Sequence, residues 1–277
     1  MAPLLPPAPL GLNRNGYHGE GVDVAQLLEA TRRAATAGGW EVTTFGRSGA
    51  FELLALRRPS CVPPASAAPR RVYLSAGIHG DEPAGPLAVL ALLRGNRWPA
   101  NVEFHVCPCL NPAGMAAGQR EGPAGKDLNR DYRHRRQPET RAHVGWLQGL
   151  PNFDLALCLH EDWEATGFYL YELNPAAHPS RAEAVIEAVA RVCPIDPAAQ
   201  IDGRPAQGGI IRPAFDPDKR PDWPEAFYLA QRKSDHGLTL EAPSDYPLGT
   251  RIEALTTAVG AILQSGSPAG NPASAPR

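Results

Sequence analysis

Several things are scarce in this chain of 277 residues. No apolar run approaches the roughly 20 residues that a membrane-spanning helix needs, so no membrane association is expected. Lysine is almost missing: Lys126, Lys219 and Lys233 are the only three, and arginine carries the remaining positive charge. An excess of positive charge is lacking too. The formal net charge is −2 and the pI about 6.4, which gives no general affinity for nucleic acid or anionic membrane. Cysteine is sparse and odd in number, at five, and no CxxC pair occurs. Free thiols in a reducing, cytoplasmic setting follow as the expectation. The first residues, MAPLLPPAPLGLNRNG, lack a cationic stretch, and their prolines break any apolar helix. They read as a Pro-rich arm over 1–16 rather than a signal peptide. The final stretch, SGSPAGNPASAPR, is small and Pro-rich and reads as a disordered tail over 266–277. One domain over 17–265 is expected between them, since 43% hydrophobic residues suffice for a sizeable core.

What is present alternates between two periods. A helix is expected over Val22 to Ala37, stopped by Gly38 and Gly39, followed by strands WEVTTFGR and FELLALRR around a Ser-Gly turn. RRVYLSAGIHG, NVEFHVCPCLNP, DLALCLHED, FYLYEL and GLTLEAP read as further strands. PLAVLALLRG, ETRAHVGWLQGL, SRAEAVIEAVARV and a last segment near Leu248 to Gln264 read as helices. Strands that alternate with helices, several of them continuously apolar, imply an α/β sandwich with a largely parallel sheet. Chemistry in such folds sits at the carboxyl ends of the strands.

Four elements fall at such ends. His79 and Glu82 follow RRVYLSAGI, and of the eight histidines only His79 has a glutamate three residues on. Imidazole and carboxylate suit a catalytic zinc, which takes three protein ligands and keeps one position open; a surface histidine beside a helix-start acid would give the same spacing. His160 closes an apolar run that breaks into His-Glu-Asp-Trp-Glu, where a cation would offset the crowded acids. A rim histidine bonded to a neighbour is the alternative. Arg120 and the string Asp127-Leu128-Asn129-Arg130 bring guanidinium forks suited to carboxylates and oxyanions, or else form a solvated loop. Glu241, ending GLTL, is either a general base or a surface acid.

His79-x-x-Glu82, Asn111-Pro112, Arg120, Asp127-Leu-Asn-Arg130, His160 and Glu241 occur in the order seen in zinc carboxypeptidases. The chain resembles that family over about residues 70 to 245, and its Asp-Leu-Asn-Arg string resembles the aspartoacylase and succinylglutamate desuccinylase branch. The resemblance implies a three-layer α/β/α sandwich with a mixed, largely parallel eight-stranded sheet. It implies one zinc per chain on His79, Glu82 and His160, with Asp127 orienting His79. Arg120 would hold the oxyanion, Asn129 and Arg130 the substrate carboxylate, and Glu241 would act as base to a zinc-bound water. Tyr228 is the candidate for the family's mobile tyrosine, with a core aromatic as the other reading. The implied activity is hydrolysis of an amide beside a free carboxylate, in a small molecule or short peptide; an N-acyl amino acid deacylase is the alternative. Arg212, Asp216 and Lys219 read as solvated loop residues.

Two rival readings remain. His105, Cys107 and Cys109 share one strand face and could hold a structural zinc, though a buried face explains them as well. A binding protein that kept the fold without catalysis is the other. Should Glu241 not be the base, Glu161 and Asp162 are the next carboxylates to consider.

Overall fold

A computed structural model describes residues 7–13, 20–61 and 70–264. The expected tail over 266–277 lies outside the described residues. Of the expected arm, 7–13 are described, and the backbone N–H of Leu12 donates to Asp245 Oδ1 at 2.7 Å.

In chain order the elements are α1 (Val24–Ala37), β1 (Glu41–Ser48), β2 (Phe51–Arg58), β3 (Arg70–Ala76), α2 (Ala84–Gly95) and β4 (Val102–Cys107). Then come α3 (Pro112–Ala117), a 3-10 turn over Leu128–Arg130, α4 (Pro138–Gln148), β5 (Leu155–Asp162), β6 (Tyr169–Leu173) and α5 (Ala182–Val189). Short strands β7 (Gln200–Ile201), β8 (Arg204–Pro205) and β9 (Ile210–Ile211) precede α6 (Glu225–Arg232), β10 (Gly237–Pro243) and α7 (Leu248–Gln264). One eight-stranded sheet runs in the order β1-β2-β4-β3-β5-β10-β6-β9. Its centre, β4-β3-β5-β10, is parallel, while β1, β2 and β6 pair antiparallel with their inner neighbours. The expected mixed sheet between helices is borne out.

Side-chain parity fixes the two faces, because successive residues of a strand point to opposite sides. Val72, Leu74, Ala76, Leu155, Leu157, Leu159, Leu238, Leu240 and Ala242 enter the core shared with α2, α5 and α7. Tyr73, Ala156 and Cys158 point the other way, to a core shared with α4 and α6. A one-residue slip of β5 would turn its three leucines out of their core, at about 1.5–3 kcal/mol each, so the register is firmly set. His160 and Glu241 fall on the α6 side by the same parity, which is how the sequence brings them together.

Two expectations fail on detail. β4 ends at Cys107, so Cys109 does not continue its face. Cys109 packs with Val24, Leu27, Leu90 and Met115, whereas Cys107 packs with Tyr73 in the core on the opposite side of the sheet. The shared face of His105, Cys107 and Cys109 therefore does not exist. α3 and α6 were not expected as helices; each has only six to eight residues and starts at or beside proline.

Candidate active site

The HxxE segment leaves β3 in a turn that only glycine allows. A Cβ at Gly80 would lie 2.2 Å from the Gly114 carbonyl carbon and 2.3 Å from Met115 N. This packing ties the turn to the start of α3, where Asn111 Oδ1 accepts from Gly114 N at 3.0 Å. Asn111 Nδ2 donates to the Glu121 carbonyl at 3.1 Å, so the same residue holds the loop that carries Arg120.

The turn puts His79, Glu82 and His160 side by side and buried, with one potential ligand atom from each within 4.8 Å of the others. His79 Nδ1 lies 2.5 Å from Glu82 Oε1, and His160 Nδ1 lies 2.9 Å from Glu82 Oε2. Burial would lower both imidazoles, yet the Glu82 carboxylate overrides it; with Asp127 it pushes His79 up to about 9 and also raises His160. Glu82 would be raised by burial, but the two imidazoles hold it well below the usual carboxylate range. Two imidazole nitrogens and a carboxylate converging in a dry site need a cation among them, and the set matches a catalytic zinc. His79 Nε2 is buried without a hydrogen bond and faces Asp127 Oδ1 at 3.4 Å. That is the side on which a ligating histidine usually finds its acceptor. The residues therefore fit a zinc ion. Among the described residues no other group of three or more such side chains could hold a metal.

Arg120 sits over this set. Its Nε and Nη2 donate to Asp127 Oδ2 at 3.2 and 3.1 Å, and its Nη1 lies 3.5 Å from Glu82 Oε1. Asp127 Oδ1 accepts from Asn129 N at 2.8 Å and so caps the 3-10 turn. Burial would raise Asp127, but His79, Arg120 and Arg130 hold it well below the usual range. Asn129 Oδ1 accepts from Glu225 N at 2.8 Å, which leaves only the Asn129 amide nitrogen for a ligand. Arg120, Asn129 and Arg130 all line a cavity of about 340 Å³ that also contains His79, Glu82, His160 and Glu241.

Glu241 is the register partner of His160 across the parallel β5–β10 pair. Burial pushes its carboxyl up to about 8, with His160 pulling the other way. The two alternative carboxylates are otherwise engaged. Glu161 accepts from Ala84 N at 2.6 Å and from Arg251 Nη1 at 2.5 Å. Asp162 accepts from Glu164 N and from the Tyr169 hydroxyl, each at 2.9 Å.

The tyrosine expectation is corrected. Tyr228 does not line the cavity; it is buried against Tyr132, ring centroids 5.8 Å apart, in the core under α6. Tyr169 and Tyr171 of β6 reach the cavity instead. They pair opposite Glu241 and Thr239 of β10, so parity puts all four on one face. Their spacing in FYLYEL was visible; the pairing of β6 with β10 was not. Arg204 and Arg220 also line the cavity and were not anticipated. Arg212, Asp216 and Lys219 do not; Arg212 pairs with Glu172 at 2.9 Å and Lys219 with Asp216 at 2.8 Å.

Residues 68–204 match the succinylglutamate desuccinylase/aspartoacylase catalytic domain, a span that holds His79, Glu82 and His160 and ends before Glu241. A crystal structure of a candidate metallopeptidase from Shewanella amazonensis is 25% identical, with a TM-score of 0.74, covering 88% of this chain and 93% of that one. The fold alone is shared with a metallo-carboxypeptidase from Burkholderia cenocepacia at 19% identity and TM-score 0.63, covering 87% of this chain and 67% of that one. Carboxypeptidase 2 of Trichophyton tonsurans is 37% identical over 79 residues, which are 26% of this chain and 15% of that protein. No described helix is long and apolar enough to cross a membrane.

Proposed function

Starting from a metal-dependent hydrolase of the zinc carboxypeptidase-like family, on its desuccinylase and aspartoacylase branch, we propose that this protein cleaves an amide bond beside a free carboxylate, in the manner of a metallocarboxypeptidase. The observation that carries the reading is the meeting of His79, Glu82, His160, Arg120 and Glu241 in one cavity.

His79, Glu82 and His160 would hold the zinc. Once bound, that ion supplies Lewis acidity, lowering the pKa of a water and polarising the scissile carbonyl. Arg130 offers its planar fork to the substrate carboxylate, and the Asn129 amide nitrogen donates beside it. This anchoring sets the carbonyl under Arg120, whose guanidinium Asp127 holds in place from the far side. Negative charge that develops on the carbonyl oxygen then meets a fixed cation in a site of low dielectric. Glu241 takes the proton of the attacking water as the oxygen–carbon bond forms. It returns that proton to the nitrogen as the carbon–nitrogen bond breaks, so a free amine leaves and a carboxylate remains. Burial holds the Glu241 carboxyl near 8, so its carboxylate is a stronger base than an exposed one, while His160 and Arg120 favour the ionised form.

The test is a set of benzyloxycarbonyl-dipeptides and their C-terminal amides, given to the zinc-loaded protein. Hydrolysis of the free acids with little of the amides is expected. Equal turnover of both removes the carboxylate clamp, and no hydrolysis of any of them by zinc-loaded protein overturns the reading.

A further inference from the structure

Arg251 of α7 is 1% exposed and has no part in the proposed hydrolysis. An arginine seldom leaves water entirely unless acids hold it. Two do so here: its Nη1 donates to Glu161 Oε2 at 2.5 Å, and its Nη2 donates to Glu20 in the segment before α1. We propose that Glu161 is a positioning residue for the zinc, tying the strand that carries His160 to the helix start that follows Glu82, with Arg251 as its buried counter-ion. The inference rests on the metal site and on no choice of substrate.

The three metal ligands come from two places in the fold. His79 and Glu82 belong to the turn between β3 and α2, while His160 lies in β5. Glu161, the next residue of β5, spans that gap with two hydrogen bonds. Its backbone N–H donates to Glu82 Oε2 at 3.2 Å, and its side-chain Oε1 accepts from Ala84 N at 2.6 Å. Ala84 opens α2, and the cap before it is Pro83, whose side chain offers no acceptor. A carboxylate from another strand therefore satisfies the open end of the helix, where the dipole also favours negative charge. The two elements meet closely, since a Cβ at Gly85 would lie 3.2 Å from the Leu159 carbonyl oxygen. Glu161 thus holds both Glu82 and the residue two beyond it, which fixes Glu82 relative to His160.

Charge explains the arginine. The Glu161 side chain is fully buried and stands beside the Glu82 carboxylate. Two such groups in a dry place repel, and each loses its hydration. Arg251 offsets the one that is not a ligand, which leaves the charge of Glu82 to the metal. It does so from near the amino end of α7, where the helix dipole disfavours a cation, so the helix itself gains nothing from it. Both Glu161 oxygens are used, one on α2 and one on α7, so the carboxylate joins three elements around the site.

The experiment measures zinc dissociation constants by competition with a fluorescent chelator, together with the melting temperature of each metal-free protein. The proteins are the wild type, Glu161→Gln, Arg251→Gln, Arg251→Lys, Glu20→Gln and Leu255→Ala, the last a truncation in the buried face of the same helix. Replacing a residue that holds a metal ligand typically weakens metal binding about 10- to 100-fold, and that loss is expected for Glu161→Gln and for Arg251→Gln. Arg251→Lys should recover part of it, because the charge stays while the fork goes, and it keeps the test open if Arg251→Gln does not fold. Glu20→Gln, at the half-exposed end, should cost at most about fivefold. Leu255→Ala should melt lower yet bind zinc as the wild type does. Wild-type zinc affinity in Glu161→Gln and in the arginine variants overturns the proposal, as does a Leu255→Ala protein that loses affinity as they do. Slower hydrolysis with unchanged zinc affinity in Glu161→Gln would make Glu161 a base instead. A wild type that binds no zinc overturns the metal site itself, and the positioning role with it.

Discussion

His79 and His143 are buried to the same degree, 3% and 1% exposed, yet they titrate in opposite directions. His143 lies on the buried face of α4, with Tyr73 Oη 2.9 Å from its Nε2 and Tyr132 Oη 2.7 Å from its Nδ1. Burial drops its pKa to about 3 and nothing opposes that, so the ring is neutral. His79 suffers the same burial, but the carboxylates of Glu82 and Asp127 lift it to about 9. Hydroxyl neighbours satisfy a neutral ring and make it part of the core. Carboxylate neighbours in a dry place call for a cation, either a proton or a metal. Burial alone therefore does not mark a ligand; the charge of the partners does.

The sharpest way to break this contrast is to remove negative charge from the metal side alone. Glu241→Gln keeps the shape of the side chain and removes the base. It should fold and retain zinc, while amide hydrolysis falls by about 100- to 10,000-fold. Loss of zinc in this variant would make Glu241 a ligand, and near-normal turnover would move the base elsewhere. Arg120→Ala comes next, because it removes the fixed cation from the carbonyl oxygen. Turnover should drop about 100- to 1,000-fold with little change in substrate affinity. A normal turnover with a much weaker dissociation constant would make Arg120 a binding residue instead.

The smallest effect is on stability, and its sign follows from the raised pKa values. Glu241 moves from 4.5 to about 8, so its contribution is full below 4.5 and is lost as pH rises through 8. His79 moves from 6.5 to about 9, so its contribution is full below 6.5 and is lost as pH rises through 9. Metal-free protein should then melt several degrees lower at pH 9 than at pH 6.5. Zinc takes the place of the His79 proton and should flatten that slope. His143→Phe should leave the slope as it is, because His143 stays neutral throughout this range. A slope that disappears with His143→Phe would reverse the comparison.

Much of this contrast was legible in the sequence. The apolar runs of RRVYLSA, LALCL and GLTL place His79, His160 and Glu241 at the carboxyl ends of adjacent parallel strands, as found in β3, β5 and β10. The His79-x-x-Glu82 spacing needs only a local turn, and Gly80 marks it. Long-range pairing was harder to read. That β6 lies beside β10, bringing Tyr169 and Tyr171 to the cavity, depends on strand order, which no local period encodes. Tyr228 misled because α6 is a single short helix after a run of prolines; its inward face packs on Tyr132. Cys109 misled because β4 stops at Cys107, where the chain turns toward Asn111. Arg204 opens the two-residue strand β8 and Arg220 sits in a polar loop, and neither local sequence distinguishes a cavity wall from solvent.

The most direct measurement is the zinc content of purified protein, taken for the wild type, His79→Ala and His143→Phe. About one zinc per chain is expected in the wild type and in His143→Phe. His79→Ala should lose it, since one of three ligands is gone. Unchanged zinc in His79→Ala, or loss of zinc in His143→Phe, would contradict the account.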